Sequence, residues 1–297
     1  MGLDATREPQ HAAARREGEE GEQYVEHAPS VASRTHVVHT GGVPEILEVE
    51  MYRRSAEAVV GRRVRAVEAD DPIVCPEGPT FGAVVGKSVV GLSRRGKTMT
   101  IAFSGGLSLD VHFGMSGRLV VDGASAIDSL VYGASDDHRW ARFGLTFAKG
   151  SMVLSDPRRF ARVSWHRGGE GLGPDAFTVS LDELVAGFTG RRAPVKAVLL
   201  DQSTVAGLGN MLVDEILWRA DIAPHRTAGE LAVSEMRRIH RTTMAVLPEL
   251  LRKGGSHAGR LAAELRVPGS ACPRDGATLA RTVCGGRTTF HCPVHQV

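Results

Sequence analysis

The chain has 297 residues, of which 42% are hydrophobic and 24% charged, as in soluble globular proteins, and it is long enough for two domains and a small appendage. No apolar run is long enough to span a membrane, the start lacks the apolar core of a signal peptide, and the four cysteines form no disulfide framework, so we expect a cytoplasmic protein. The net charge is +2, but the charges are unevenly distributed. Residues 1–43 hold seven acidic and four basic side chains, so the rest of the chain is basic.

The first segment, residues 1–42, is polar, rich in Gly, Glu and Arg, and without apolar periodicity. Such a segment cannot bury enough apolar surface to fold alone. We therefore predict that residues 1–43 form a disordered leader that is absent from the functional protein.

The character of the chain changes at Val43, where the stretch VPEILEVEMYRRSAEAVVG begins. This stretch predicts a helix that opens at Pro44 and Glu45 and stops at Gly61. Its apolar stripe, at helical spacing, consists of Val49, Tyr52, Ala56, Val59 and Val60.

Short alternating runs follow Gly61, and they predict a β-sandwich within a domain that spans residues 44–167. The strand-like runs are Val64 with Ala66, Val84–Val85, Val89–Leu92, Met99–Phe103, Leu107–Phe113, Leu119–Val120, Ala141–Phe147 and Met152–Leu154.

Three loops between these runs carry side chains of interest. Lys97 lies in a basic turn, SRRGKTM, where a solvated lysine is the ordinary interpretation. Met115 lies between two glycines, which favours an exposed loop tip over a core position. Arg158 and Phe160 follow a predicted type I turn at Asp156–Pro157.

A hinge at Gly168–Pro174 precedes a helical domain, predicted over residues 174–255. Its centre is Leu199–Ala220, in which two helical patterns flank a break that contains Gly207 and Gly209. The other predicted helices are Leu181–Thr189, Pro194–Leu200 and Val233–Lys253.

The break predicts a tight turn beside a helix N-terminus, which is a natural phosphate site, although an ordinary helical hairpin has the same pattern. We expect Asn210 at the N-cap of the second helix, and Asp214 and Glu215 complementing the positive end of that helix.

The string DQ-x4-GLGN-x3-DEILWRA resembles the helix–two-turn–helix signature of the formamidopyrimidine-DNA glycosylase and endonuclease VIII family, whose members remove oxidised bases from DNA. PEILEVE, LGPD and PVKAVLLDQ keep the family's order, and the resemblance covers about Val43–Gln296. It implies an α+β multidomain protein: an N-terminal β-sandwich with a leading helix, a helical helix–two-turn–helix domain and a C-terminal zinc-type β-hairpin.

The resemblance implies that the nucleophile is the secondary amine of an N-terminal proline, which attacks the sugar C1′ and forms a Schiff base. PEILEVE places Pro44 in this role, although Leu47 replaces the family's second proline. The nitrogen of an internal proline is an amide and cannot attack. Translation from position 43 at a GUG codon, proteolytic removal of the leader, or loss of catalysis would each resolve the conflict. We favour the first, because Val43 directly precedes Pro44.

Other roles follow from the same resemblance. Glu45 shuttles protons during base loss and ring opening, Glu48 is a supporting acid, and Lys97 assists elimination at a phosphate near the lesion. The resemblance also implies DNA contacts. Met115 fills the gap left by the extruded base, Arg158 contacts the orphaned partner base, and Phe160 wedges into the base stack. Asn210 and Arg287 hold the DNA backbone.

The tail, residues 266–297, matches the register of the family's zinc hairpin, C-x2-C-x16-C-x2-C, with two cysteines replaced. The register gives Cys272, Asp275, Cys292 and His295 as ligands of one structural Zn²⁺. Cys284 competes with Asp275, since thiolate is the commoner structural ligand, and a hairpin without metal is the third possibility.

We predict a base-excision DNA glycosylase, a DNA-formamidopyrimidine glycosylase-like hydrolase, with AP lyase activity. The partner is damaged double-stranded DNA, and we expect a monomer at the nucleoid of a bacterial cytoplasm. The alternative is a catalytically inactive lesion- or structure-specific DNA-binding protein that retains its leader. A metal-dependent nuclease is disfavoured, because no carboxylates are arranged for paired metals.

The damaged base stays open between oxidised purine and oxidised pyrimidine, as does the choice between β- and β,δ-elimination. Two sequence features bear on the base and point in opposite directions. Glu48-Val49-Glu50 resembles the start of the formamidopyrimidine branch of the family. Ser256–Ser270, however, is shorter than the corresponding family stretch, which includes a loop that closes over 8-oxoguanine, and this weakens the case for that substrate.

Overall fold

The computed structural model describes residues 43–127, 138–168 and 171–297, so the predicted leader lies outside the described residues except for Val43. The helices are α1 Ile46–Ala56, α2 Leu181–Phe188, α3 Val195–Leu200, α4 Asn210–Arg219 and α5 Val233–Lys253. The strands are β1 Val64–Glu68, β2 Val89–Arg95, β3 Thr98–Phe103, β4 Ser108–His112, β5 Arg118–Val121, β6 Ala141–Phe147, β7 Ser151–Ser155, β8 Arg162–Trp165, β9 Ala280–Cys284 and β10 Arg287–His291. In the described part of the chain, no helix combines the length and the apolarity that crossing a bilayer requires.

The first helix follows its predicted pattern with one exception. α1 continues into a 3₁₀ turn at Glu57–Val59, and Gly61 ends it with a φ of +85°. The stripe residues from Val49 to Val59 are fully buried, but Val60 is 44% exposed. The prediction for Val60 was wrong because the tighter 3₁₀ turn rotates the last residues away from the α-helical stripe.

Two antiparallel four-stranded sheets confirm the β-sandwich. One has the order β1-β6-β7-β5 and the other β2-β3-β4-β8. Inward residues such as Ile101, Leu109 and Leu154 alternate with more exposed ones and form a common core. The predicted strand at Val84–Val85 was wrong, because a 3₁₀ helix occupies Gly78–Val84, with proline in its first turn.

The helical part confirms the predicted helices to within a residue or two at each end. α4 is buried on every side from Met211 to Trp218, and α5 ends at Gly254, whose φ of +103° permits the left-handed cap. α1 joins the two parts of the fold. Its Ile46 and Leu47 pack into the helical core, whereas residues from Val49 onward pack into the sandwich core.

The C-terminal segment forms the β9–β10 hairpin with a turn at Gly285–Gly286. A third small cluster, around Trp218 of α4, joins this segment to the helices and includes Cys272 and Cys292. The expected fold class of sandwich, helical region and C-terminal hairpin is therefore confirmed.

Candidate active site and metal cluster

A cavity of about 320 Å³ opens at the start of α1 and brings together four of the predicted site residues, Pro44, Lys97, Met115 and Phe160. They come from four separate segments: the entry to α1, the β2–β3 turn, the loop after β4 and the loop after β7. The remaining lining residues are Val43, Thr98, His112, Gly114, Leu172 and Gln202.

Glu45 lies buried beside Pro44, with 2% of its surface exposed, and caps α4 from outside that helix. Its carboxylate accepts hydrogen bonds from the backbone N–H groups of Gly209 (3.0 Å), Met211 (2.8 Å) and Leu212 (3.2 Å). The prediction of Asn210 as N-cap was wrong, because Gly209 holds that position and Asn210 is the first helical residue. A carboxylate from another element already satisfies the amides that an N-cap side chain would reach.

Gly209 makes this close approach possible. A Cβ atom at this position would lie 2.2 Å from the Glu45 carboxyl carbon, which no side chain tolerates. The two-glycine break is therefore shaped around the acid, and Gly207 in the same turn needs its φ of +112°.

Burial raises the pKa of Glu45 to about 7, against the opposing effect of Lys97 and with a further rise from Glu48. In turn, burial lowers the pKa of Lys97, although Glu45 acts in the opposite direction. A carboxyl group that titrates near neutrality can both donate and accept a proton at physiological pH.

Glu48 is also buried, and its hydrogen bonds define its place. One oxygen accepts the Glu45 backbone N–H at 2.9 Å, and the other accepts the N–H and hydroxyl of Ser256 at 2.6 and 2.8 Å. Glu48 thus ties the entry of α1 to the start of the short Ser256–Ser270 segment.

Glu215 anchors the same segment further along. Its carboxylate accepts the N–H groups of Arg260 and Leu261, at 3.0 and 2.8 Å. The expectation that Asp214 and Glu215 complement the helix end was wrong, because both lie beyond the first turn of α4 and are buried with partners of their own.

His112 is a cavity residue that sequence reasoning missed. Its Nδ1 accepts the N–H of Gly114 at 3.1 Å, which leaves the ring proton on Nε2 when the ring is neutral. Desolvation and the nearby Lys97 lower the pKa of His112. Its place at the end of a strand, directly before the loop that carries Met115, was the available signal.

Asn210 and Arg287 both lie where α4 packs against the hairpin. The Asn210 Nδ2 donates to the Thr288 carbonyl at 3.0 Å, and Arg287 stands exposed beside it at the start of β10. Beneath them the fully buried Lys196 ammonium donates to Asp214 at 2.6 Å and to the Thr289 hydroxyl at 2.8 Å, which fixes the hairpin against α4.

Of the side chains predicted to contact DNA, Arg158, Asn210 and Arg287 do not line the cavity, but Arg158 stacks on Phe160, which does. Its guanidinium carbon lies 4.7 Å from the centre of the Phe160 ring, and that ring is 49% exposed. The two side chains therefore form one stacked projection beside the cavity.

The four predicted metal ligands come together in the tail. The ligand atoms of Cys272, Asp275, Cys292 and His295 all lie within 4.8 Å of one another. Cys284 lies apart from them, with its thiol 3.3 Å from the Pro224 carbonyl, so the geometry favours Asp275 over Cys284.

The donor set of this cluster fits zinc. The pairs Asp275 Oδ2–His295 Nδ1 and Asp275 Oδ2–Cys292 Sγ are 2.7 and 3.2 Å apart, close enough for a shared ion. The other ring nitrogen of His295, Nε2, lies 3.3 Å from the Trp218 carbonyl, an outer contact that would keep Nδ1 directed at the ion.

Comparison with known proteins agrees with this architecture. The family model described as the formamidopyrimidine-DNA glycosylase N-terminal domain matches residues 43–163, and the model of the H2TH domain of the same enzyme matches residues 171–260. A formamidopyrimidine-DNA glycosylase of Cereibacter sphaeroides is 36% identical over 283 residues, which cover 86% of this chain and 100% of the relative. One from Acidovorax is 33% identical over 276 residues, which cover 84% of this chain and 98% of the relative.

Solved structures give the same result. A complex of Lactococcus lactis Fpg with DNA containing an abasic site superimposes with a TM-score of 0.72 at 27% identity, covering 85% of this chain and 99% of the other. A complex of the same enzyme with DNA containing Fapy-dG gives 0.73 at 28% identity, with the same coverage. Fold, cavity and matched models define an enzyme of the helix–two-turn–helix class. The chain belongs to the formamidopyrimidine-DNA glycosylase family.

Proposed function

We propose that this protein is a base-excision-repair DNA glycosylase that removes oxidised bases from double-stranded DNA and cleaves the resulting strand as an AP lyase. The observation that carries the proposal is the cavity where Pro44 and Lys97 face Met115 and Phe160, with the buried Glu45 carboxyl beside the proline. The Lactococcus lactis relatives, which hold abasic or Fapy-dG DNA, support this substrate class.

In this proposal the Pro44 amine attacks C1′ of the damaged nucleotide. The bond from C1′ to the base breaks, its electron pair leaves with the base, and the base takes up a proton. The sugar ring opens as O4′ receives a proton, and an iminium forms between Pro44 and C1′. Loss of a proton from C2′ then expels the 3′ phosphate, which is β-elimination.

Glu45 is the proton carrier of this sequence, because burial raises its pKa to about 7 and both protonation states are available near neutral pH. Lys97 holds the phosphate that departs, and Glu48 keeps the entry of α1 in place through its bond to the Glu45 N–H.

The DNA contacts belong to the same proposal. Met115 fills the space that the extruded nucleotide leaves. Arg158 contacts the partner base, and Phe160, which stacks on Arg158, wedges between neighbouring bases of the duplex. Asn210 and Arg287 hold the backbone phosphates at the α4–hairpin junction. Affinity should then fall steeply with salt, since neutralised phosphates release counterions.

We also propose that Cys272, Asp275, Cys292 and His295 hold one structural Zn²⁺. The ion would stabilise the segment that carries the β9–β10 hairpin and so the position of Arg287, with no part in the chemistry.

The chemistry requires a free amine at Pro44, so the active form must lack residues 1–43. The match of the family model from residue 43 onward supports this proposal. Borohydride trapping on DNA with an abasic site tests it, with a chain that begins at Pro44 compared with the chain that begins at Met1. We expect a covalent adduct only with the first.

Two outcomes would contradict the proposal. Equal trapping by both chains would place the Schiff base on an amine other than that of Pro44, and binding without trapping by both would leave a lesion-binding protein. Intact mass with N-terminal sequencing of the protein from its own source shows which chain exists in cells.

A further inference from the structure

A buried carboxylate outside the cavity connects the two loops that carry the proposed DNA-probing side chains. We call residues 113–117 the methionine loop and residues 156–161 the arginine–phenylalanine loop. Asp156 begins the second loop and is fully buried, so it cannot touch DNA. Its Oδ1 accepts the Ser116 hydroxyl at 2.5 Å and the Arg158 N–H at 3.1 Å, and its Oδ2 accepts the Ala161 N–H at 2.7 Å.

A second contact joins the same two loops by backbone alone. Gly114 has a φ of +59°, and a Cβ atom there would lie 2.3 Å from the Phe160 carbonyl oxygen. The methionine loop therefore lies directly on the backbone of Phe160 with no room for a side chain. Within the methionine loop, the Gly117 N–H donates to the Phe113 carbonyl at 2.8 Å and closes the turn.

Other hydrogen bonds hold the arginine–phenylalanine loop to the rest of the sandwich, including one from the Asp156 N–H to the Trp140 carbonyl at 2.8 Å. Arg159, with a φ of +58°, donates to Asp71 at 2.7 Å, and the Asp156 carbonyl accepts from Arg142 at 2.9 Å. These bonds fix the loop to the sandwich but do not reach the methionine loop. Among the side-chain hydrogen bonds of the described residues, the one from Ser116 to Asp156 joins the two loops.

We propose that Asp156 is a positioning residue that makes the two loops enter the duplex as one unit. It holds Arg158 and Ala161 through their backbone amides and Met115 through the adjacent Ser116, so the three probing side chains keep a fixed spacing. The inference rests on the proposed function, and it assigns Asp156 and Ser116 to the extrusion step and not to the chemistry at C1′.

Replacement of Asp156 by asparagine isolates this role, because the two side chains have nearly the same shape. The asparagine amide has one acceptor oxygen where the carboxylate has two. Either the Arg158 or the Ala161 N–H must therefore face the asparagine NH₂ group, which is itself a donor. Ser116→Ala is the milder second variant, since it removes the link between the loops and leaves both backbone contacts of Asp156 intact.

The first measurement follows extrusion without chemistry. A duplex carries a tetrahydrofuran abasic analogue with 2-aminopurine opposite it, and the fluorescence rise on binding reports unstacking of the partner base. We expect the rate of this rise to fall roughly tenfold in Asp156→Asn and by less in Ser116→Ala. Asp122→Asn is the control and should behave as wild type, because the Asp122 carboxylate accepts from the Arg62 side chain and the Ser151 N–H away from these loops.

The second measurement separates extrusion from the reaction. Single-turnover strand cleavage is followed on an abasic site in a duplex and on the same site in single-stranded DNA, which needs no extrusion. We expect Asp156→Asn to slow only the duplex reaction. In a Met115→Ala background, Ser116→Ala should have no further effect, because Ser116 acts through Met115.

Equal loss on duplex and single strand, or no change in either fluorescence or duplex cleavage, would overturn the inference. Absence of trapping by wild type would instead refute the proposed lyase. The fluorescence result would then still decide the role of Asp156, because binding alone produces it.

Discussion

Glu45 combines two tasks that oppose each other at the scale of one residue. As the cap of α4 it accepts three backbone N–H groups, which favours the charged carboxylate, while burial favours the neutral acid. Burial is the larger effect, and the pKa rises to about 7. The same side chain therefore connects the geometry of the two-glycine turn with the proton transfer proposed at Pro44.

The pKa of Glu45 gives a stability prediction for Glu45→Gln. The ordinary pKa is 4.5 and the folded value about 7, so the folded protein binds the proton more tightly. The stabilising contribution of Glu45 is complete below pH 4.5 and is lost as the pH rises through 7. Glu45→Gln lacks this loss, so its free energy of unfolding should rise relative to wild type by about 3 kcal/mol between pH 4.5 and 8.

Urea unfolding of both proteins across this pH range measures the effect, with Glu57→Gln as a control for removal of a carboxylate from the exposed end of the same helical segment. A difference between wild type and Glu45→Gln that stays constant with pH would contradict the assignment. Glycosylase activity of Glu45→Gln should fall at least roughly a hundredfold, within the range of general acid–base catalysis.

Arg287 gives a second prediction at the residue scale. It is exposed at the hairpin turn beside Asn210, whereas the register of β9 and β10 places Arg281 on the opposite face of the same hairpin. Arg287→Ala should weaken binding to abasic-analogue DNA and reduce the slope of log affinity against log salt by about one. Arg281→Ala removes the same charge from the other face and should leave both unchanged. Equal effects of the two substitutions would show that only net charge matters.

At the scale of elements, the sequence predicts what depends on local spacing. The helices α2 to α5 and the sandwich follow from apolar periodicity, because neighbouring residues decide it. The strand at Val84–Val85 failed because an apolar pair does not specify a ladder partner. The cap of α4 could not be found near α4, since Glu45 precedes Gly209 by 164 residues.

The candidate site shows the same difference between residues that local sequence identifies and residues that only the fold brings together. Motif positions identified Pro44, Lys97, Met115 and Phe160, which the fold brings into one cavity. Asp156 was missed because it acts through a contact between loops, 40 residues apart, that no sequence spacing records, whereas the position of His112 at a strand end was a signal that was not used. The burial of Asp214 was missed because its partners, Lys196 and Arg266, lie in separate segments.

The C-terminal cluster gives the prediction at this scale. Asp275→Ala should abolish zinc binding, because it removes the residue that lies close to both Cys292 and His295. Asp275→Cys should retain the ion, since thiolate is a good zinc ligand. Cys284→Ser is the control and should keep one zinc per chain. Zinc content by mass spectrometry and the Tm measure this, and loss of zinc in Cys284→Ser alone would reverse the assignment.

At the scale of the whole molecule, α1 belongs to two cores at once. Leu47 packs with the helical residues and Tyr52, five residues further along the same helix, with the sandwich. The sandwich and the helical region therefore share a structural element and should not unfold independently.

Leu47→Ala tests this coupling. The side chain is fully buried in the helical core, so its truncation should lower the free energy of unfolding by about 2–5 kcal/mol. Calorimetry should show a single transition, shifted as a whole to lower temperature. Val60→Ala, at an exposed position after the same helix, is the control and should have little effect. Two separate transitions, with the sandwich unaffected, would show that α1 does not couple the cores.

The contact between Gly209 and Glu45 has an evolutionary consequence. A side chain at position 209 would occupy the place of the Glu45 carboxyl carbon, 2.2 Å away, so selection on the acid also acts on the glycine. In a lineage in which a shorter residue replaced Glu45, this clash would be relieved and position 209 would be free to vary.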